Sequence, residues 1–363
     1  MPSANIIVET EIDPTFRVKQ IASIYDVKFS DKSSESWDID IPIEGMEWGI
    51  GLIVGPSGSG KSTIGKQLFG EAAYHENFSW PDNKSVVDGF PQDMSIKEIC
   101  SAMISVGFNT TPNWSRPYRV LSTGEKFRVE LSRILAEGPE ITVIDEFTSV
   151  VDRAVAQIGA AAFRKAVDRG ESKRKYIMLS CHYDIIDWLQ PDWIYDLRNG
   201  KFTAVRLRRP EIKLQIYKTK PSTWGMFKRY HYLTASMNSA SQCFIAFYNN
   251  NPVAFHAILN QMGTKKMKRG TRLVVLPDYQ GVGIGGAFLD WTAKYYHDQG
   301  NRFIYCASHP GLIHHWNKSP YWKIKKAHSL GAGSSTWKDK KGKVAVNSNG
   351  RSVVTVEYVG QVA

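Results

Sequence analysis

Short, continuous apolar runs alternate along the chain with longer stretches of helical spacing. Residues 50–54 (Ile-Gly-Leu-Ile-Val) are apolar throughout and predict a strand buried on both faces. Ile141–Ile144 and Tyr176–Ser180 are further runs of this kind. Helical segments lie between them, TIGKQLFGEAA after the first run and KFRVELSRILAEG before the second. Further on, Trp224–Leu233 predicts a short aromatic helix. Cys243–Tyr248 and Pro252–Leu259 predict strands parted by Asn249-Asn250-Asn251, a hairpin signal. A strand Thr271–Leu276, a helix FLDWTAKYYHDQG and a strand Arg302–Ser308 follow, with strand-like runs at Lys343–Val346 and Val353–Val359. Strands alternating with helices predict an α/β fold.

The length of 363 residues leads us to expect two domains. Apolar residues at 42% and charged residues at 22% are ordinary globular values and argue against disorder. No apolar run approaches the ~18–20 residues that span a bilayer. The N-terminus MPSANIIVETEIDPT lacks the basic and apolar regions of a signal peptide. Cys100, Cys181, Cys243 and Cys306 are scattered and read as reduced thiols. A cytoplasmic protein with no membrane partner is expected.

Charge divides the chain. Residues 1–200 carry 21 Lys+Arg against 29 Asp+Glu, whereas residues 201–363 carry 25 against 6, a net of +19. A segment that basic points to a polyanion, DNA or RNA. The alternatives are a solvated basic surface or capture of one anionic cofactor.

The first apolar run leads into Gly55-Pro56-Ser57-Gly58-Ser59-Gly60-Lys61-Ser62-Thr63, a GxxxxGK[ST] loop between strand and helix. Its glycines let backbone N–H groups surround phosphate oxygens at a helix N-terminus. Lys61 is expected on the β- and γ-phosphates of ATP and the Ser62 hydroxyl on Mg²⁺. After Ile141–Ile144 stand Asp145, a second candidate for Mg²⁺, and Glu146, placed to act as general base on water. With Leu121-Ser122-Thr123-Gly124-Glu125, Thr148–Asp152 and Cys181-His182, this ordered set resembles the ABC-type ATPases over about residues 18–205. The resemblance implies an ATP-dependent homodimer. Ser122 and Gly124 of one subunit would close over the γ-phosphate held by Lys61 of the other, and His182 would contact that phosphate. It also makes Gln92 the candidate Q-loop residue, with Tyr25 or Phe29 as adenine-stacking candidates that could equally be core. Only 28 residues part Gln92 from Leu121, little room for a helical subdomain that docks on a membrane partner.

In the second half, Gln280-Gly281-Val282-Gly283-Ile284-Gly285-Gly286 lies between strand and helix, where exposed amides can wrap a pyrophosphate. The strand–LPxxQxxGxG–helix–strand order resembles the GNAT acyltransferases over about residues 222–363. It implies that these residues grip acetyl-CoA or another acyl-CoA. The expected organisation is an ABC-type ATPase domain at 1–205, a basic linker at 206–222 and a GNAT-like α/β domain at 223–363. The whole resembles a small family in which an ABC-type ATPase is fused to a predicted acetyltransferase. Viral DNA-modifying enzymes such as the Mom protein also have GNAT-like folds.

Acyl transfer needs a neutral amine and an acid for the departing thiolate. His309 and Tyr321 are the positional candidates, with His231 and His256 as possible bases or plain core residues. His309, His314 and His315 lack carboxylate or thiol partners at metal-ligand spacing. Trp316, Tyr321 and Trp322 interleave with Lys318, Lys323, Lys325 and Lys326, a pattern that suits either base stacking or a helix with an aromatic core face. The expectation is therefore ATP-dependent acyl transfer to a nucleic-acid base amine. The rivals are nucleic-acid remodelling with an inert GNAT fold and acylation of a protein or small amine.

Overall fold

The computed structural model describes residues 3–11, 13, 15–26, 32–75, 77–170, 174–204, 207–231, 235–329 and 352–360. Along the chain come β1 (Ser3–Glu11), α1 (Phe16–Tyr25), β2 (Lys32–Asp40), β3 (Ile50–Val54), α2 (Lys61–Phe69) and β4 (Tyr74–His75). Next are α3 (Ile96–Ser105), α4 (Thr111–Trp114), α5 (Thr123–Glu137), β5 (Ile141–Ile144), α6 (Arg153–Asp168), β6 (Lys175–Ser180), α7 (Ile186–Leu189), β7 (Trp193–Asp196) and β8 (Lys201–Thr203). The remainder comprises β9 (Gln215–Thr219), α8 (Trp224–Phe227), β10 (Gln242–Tyr248), β11 (Asn251–Asn260), β12 (Met267–Val275), α9 (Ile284–His297), β13 (Arg302–Ala307), α10 (Pro310–Lys318), β14 (Trp322–Ser329) and β15 (Ser352–Tyr358).

Two compact units divide these residues, and each draws on two parts of the chain. The first holds 1–79 and 130–209, the second 80–129 and 210–363.

In the first unit the sheet order is β4-β5-β6-β3-β7-β8 among the described residues, parallel except for the β7–β8 pair. β3 is central and wholly buried, which is why its sequence is an unbroken apolar run. The Asp192 carboxylate accepts from the Gly49 and Ile50 N–H groups at 2.8 and 2.9 Å, and Arg164 on α6 donates to it at 2.9 Å. One sheet face carries Ile53, Ile177, Leu179 and Trp193, packed with Ile64 of α2 and with Ile6 and Ile39 of the β1–β2 hairpin. Gly51 pairs with Trp193, and a Cβ there would lie 2.0 Å from the indole.

In the second unit the sheet runs β14-β15-β13-β12-β11-β10-β9 among the described residues. Residues 206–222, expected as a linker, include β9, which pairs antiparallel with β10 from Thr219↔Cys243 to Gln215↔Phe247. Its exposed Gln215, Tyr217 and Lys218 gave it a linker's polarity, and charge suits an edge strand. The expected aromatic helix is one turn of α-helix, α8, followed by a 3₁₀ turn at Lys228–Tyr230. The run at Lys343–Val346 lies outside the described residues.

One departure from regular pairing shapes this sheet. β12 and β13 are parallel, yet they pair only from Met267↔Arg302 to Arg269↔Ile304, although the strands continue to Val275 and Ala307. Just past that point Thr271 is an extra residue against β11, since Ala257 faces Arg272 and Ile258 faces Gly270. Such a bulge bends its strand. The two strands therefore splay, and a wedge opens toward their C-terminal ends.

Gly51→Ala forces a methyl against the buried Trp193 ring and should cost ~1–3 kcal/mol, as overpacked core substitutions do. Urea unfolding of the full chain checks this, and an unchanged midpoint contradicts the packing described.

Candidate functional site

The loop after β3 turns on Gly58 and Gly60, both at φ +78. Gly60 caps α2 with no side-chain hydrogen bond to the helix amides, which leaves the N-terminus of α2 without the usual side-chain acceptor. A Cβ on Gly60 would lie 2.5 Å from the Trp37 ring, so that indole seats the loop. Lys61 Nζ donates to the Gly55 and Pro56 carbonyls at 3.0 and 2.6 Å. Ser59 Oγ is buried without a partner, while Ser57 and Ser62 are exposed and Thr63 half-buried. Ser62 Oγ donates to Asp145 Oδ2 at 2.6 Å, and the Tyr74 hydroxyl donates to the same oxygen. Burial and that carboxylate push the Tyr74 pKa up. The Glu146 backbone is left-handed at φ 47, its N–H donates to Asp145 Oδ1 at 2.7 Å, and its side chain is exposed. His182 is half-buried just past β6, its N–H donating to Ser180 Oγ at 3.1 Å. Thus the first unit gathers the loop, Asp145 and Glu146 at the C-terminal ends of its parallel strands. Tyr25 is 72% exposed on α1 and is no core residue, whereas Phe29 lies outside the described residues.

Gln92, Ser122 and Gly124 belong to the second unit. Gln92 is exposed in a turn closed by Met94 N–H on the Pro91 carbonyl at 3.2 Å. Ser122 precedes α5 and forms a capping box: its Oγ accepts from Glu125 N at 3.4 Å, and Glu125 Oε2 accepts from Ser122 N at 3.0 Å. Asn113 Nδ2 donates to the other Glu125 oxygen. The stretch between Gln92 and Leu121, expected to leave little room for a helical subdomain that docks on a membrane partner, folds into α3, α4 and a 3₁₀ turn at Tyr118–Val120.

These helices meet the loop that follows β12. Arg128 of α5 is 1% exposed and donates to the carbonyls of Val106, Gln280 and Asp278 at 2.8, 3.2 and 3.0 Å. Desolvation pulls its pKa down to about 10, opposed by Asp278. The Gln280 side chain accepts from Asn109 N–H at 3.0 Å and donates to the Val275 carbonyl at 2.7 Å. That amide is therefore fixed within the protein.

Gly281 and Gly283 stand at φ 94 and 98 and turn the chain into α9, which Gly283 caps without a side-chain hydrogen bond. Val282 and Ile284 are buried. Gly285 and Gly286 serve packing, since a Cβ would lie 3.3 Å from Val275 and 2.9 Å from the His315 ring. Of the Gly-rich run, Gly281–Gly283 form the turn that follows β12, and α9 starts from Gly283 with no side-chain cap.

The acid and base candidates separate. His309, where the chain leaves β13, accepts from Gly311 N–H at 3.2 Å through Nδ1. Burial lowers its pKa against a hydrogen bond to the Asn109 backbone. Tyr321 is displaced from the wedge: Trp322 pairs with Tyr358, and Tyr358 with Phe303. Tyr321 therefore sits at the closed N-terminal end of β13, about four residues or ~13 Å of strand from the open end. His256 is wholly buried, with Nδ1 2.9 Å from Thr292 Oγ1 and Nε2 unpartnered among Phe288, Phe303 and Tyr305. It belongs to the core, and burial pushes its pKa down to about 3. His231, against Trp224, is pushed down to about 4 by burial and by Arg272. His315 Nε2 lies 2.9 Å from Asp290 Oδ1, which also accepts from Trp322 Nε1 at 2.6 Å. His314 is exposed. Trp316 and Trp322 are 2% and 6% exposed, so these aromatics are core rather than a stacking surface, while Lys318, Lys323, Lys325 and Lys326 face outward.

Sequence reading overlooked Arg128 and Asn109. The only signal was an arginine one turn into the helix after LSTGE, where a surface charge would look the same. Among the described residues no helix is long and apolar enough to cross a membrane.

Comparison with known proteins agrees with both halves. Residues 194–317 match the acetyltransferase (GNAT) family. The energy-coupling factor transporter ATP-binding protein EcfA1 of Lacticaseibacillus paracasei is 29% identical over 205 residues, 46% of this chain and 71% of that protein. Among solved structures, the ATP-binding cassette MJ0796 bound to ADP and Pi aligns over 56% of this chain and 98% of its own at 14% identity and a TM-score of 0.40. A GNAT family acetyltransferase from Elizabethkingia anophelis with acetyl-CoA bound covers 40% and 97% at 13% identity and 0.30. The chain is an α/β protein with ABC ATPase homology in its N-terminal region and a match to the acetyltransferase (GNAT) family in its C-terminal region.

His256 and His231 carry a pH prediction. The unfolded chain protonates them near 6.5 and the folded chain only near 3 and 4. Stability is therefore full above pH 6.5 and falls as pH drops through that window, by at most ~1.4 kcal/mol per pH unit for each histidine. Melting curves from pH 7.5 to 5 should fall less steeply for His256→Asn. Equal slopes contradict its burial as a neutral ring.

Proposed function

We propose that the chain is an ATP-dependent acyltransferase that engages nucleic acid and passes an acyl group from acyl-CoA to a base amine. One observation carries this reading. The chain contains two helices, α2 and α9, that each begin after a left-handed glycine with no side-chain cap. Each is a place for phosphate oxygens, and the second lies in a part of the chain with a net charge of +19.

In the first unit, Gly55–Thr63 would hold the triphosphate, with Lys61 exchanging the Gly55 and Pro56 carbonyls for phosphate oxygens. Buried, unpartnered Ser59 Oγ suits an acceptor from the ligand. Ser62 and Asp145 already meet at 2.6 Å and would hold Mg²⁺, which when bound offsets phosphate charge. Glu146 would orient and deprotonate water, and His182 would contact the γ-phosphate. Ser122 and Gly124, with Gln92, would complete the site in an ATP-dependent homodimer.

In the second unit the amides of Gly281–Gly283 and the start of α9 would take the pyrophosphate of acetyl-CoA or another acyl-CoA. Gln280, bonded to Asn109 and Val275, would act by holding the loop. The amine nitrogen attacks the thioester carbonyl, the C–S bond breaks, and coenzyme A leaves as the thiol with the proton the amine gives up. Exposed Lys265, Lys266, Arg269 and Lys323 supply phosphate contacts.

Acylation of a protein or small amine is the second reading. It is favoured by the burial of Trp316 and Trp322, which removes the expected stacking platform.

Mass spectrometry of nucleosides from DNA and RNA of expressing cells should find an acylated nucleoside that Glu146→Gln and Gly283→Asp each abolish. An unchanged profile, with binding insensitive to salt, overturns the nucleic-acid reading, because neutralised phosphates impose a slope of roughly −0.9 each on a log–log plot.

A further inference from the structure

The second unit contains both the LSTGE segment and the acyl-CoA loop, and one buried side chain joins them. Arg128 stands on α5 six residues beyond Ser122, the residue that caps it, ~9 Å along the helix axis. Its guanidinium has left water and donates to three carbonyl oxygens, Val106 at the end of α3 and Asp278 and Gln280 in the loop, with the Asp278 charge in its favour. Gly107, at φ +83, brings the backbone so close that a Cβ would lie 2.5 Å from the Gln280 carbonyl oxygen. Asn109 N–H adds the bond to Gln280 Oε1 at 3.0 Å. The loop is thus held by α5 and by the turn after α3. Sliding α5 past the loop would strip a buried cation of its acceptors, an arrangement that proteins do not tolerate cheaply. Helix and loop must therefore shift together.

We propose that Arg128 is a positioning residue for the acyl-CoA loop, and that through it nucleotide engaged at Ser122 and Gly124 changes the affinity of the loop for acyl-CoA. The inference rests on the ATP and acyl-CoA sites proposed above. Linkage is reciprocal, so acyl-CoA must change nucleotide affinity by the same factor. No new chemistry is required, because the carbonyls of Asp278 and Gln280 fix the direction in which the next amides point.

The test is calorimetric titration of the full chain bearing Glu146→Gln with coenzyme A, in the presence and absence of ATP. ATP should change the coenzyme A Kd at least about fivefold, and coenzyme A should change the ATP Kd equally. Arg128→Lys keeps the charge but loses the planar fork. It should still bind coenzyme A while the effect of ATP falls below about twofold. The first comparison needs no altered Arg128, so it decides even if that variant does not fold. A coenzyme A Kd that ATP leaves unchanged, or an undiminished effect in Arg128→Lys, overturns the proposal while leaving the two sites standing. Failure of coenzyme A to bind under either condition overturns the acyltransferase reading, and this inference with it.

Discussion

A guanidinium sealed from water constrains the second unit more than any other single group. Removing such an ion from solvent costs several kcal/mol unless hydrogen-bond acceptors surround it. Arg128 meets that demand with three backbone carbonyls drawn from two parts of the chain. Carbonyls, unlike carboxylates, are parts of the backbone path, so satisfying Arg128 fixes where residues 106–109 and 278–280 run. The close approach at Gly107 follows from this, as does the bond from Asn109 to Gln280. The second unit therefore joins residues 80–129, which lie between the two segments of the first unit, to residues 210–363.

The two glycine-rich loops are built in similar ways. Each follows a strand, turns on a left-handed glycine, and starts a helix that no side chain caps. They differ in what steadies them. The first is seated by Trp37 beneath Gly60 and by Lys61 folded onto its own carbonyls. The second is steadied by groups on other elements, Arg128 and Asn109, and by a wedge that a bulge at Thr271 opens in the sheet. A loop held by its neighbours responds when those neighbours move.

The loop at residues 55–63 and the Asp145-Glu146 pair stood out because each is set by spacing directly after a continuous apolar strand, and the structure places them together at the ends of parallel strands. The strand at Cys243–Tyr248 was equally legible, since burial on both sides leaves an apolar run, and Arg302–Ser308 showed through buried Phe303, Tyr305 and Ala307 at every second position. What failed to show depends on partners far along the chain. β9 looked like a linker because three of its five side chains face water. Tyr321 looked close to the end of β13, but register through β15 carries it to the other end. Trp322 alternates with exposed Lys323, and the two point to opposite faces of a strand, so a basic aromatic pattern was in fact an inside and an outside. Arg128 is beyond any local pattern, because its acceptors include carbonyls about 150 residues away.

Hydrogen exchange on the full-length Glu146→Gln protein tests the central claim most directly, read at the amides of residues 278–283 with and without ATP. A loop that Arg128 ties to α5 should change its exchange rate when ATP is added, and the change should vanish in Arg128→Lys. Identical exchange in that segment with and without ATP, while the phosphate loop at residues 55–63 becomes protected, would contradict the account.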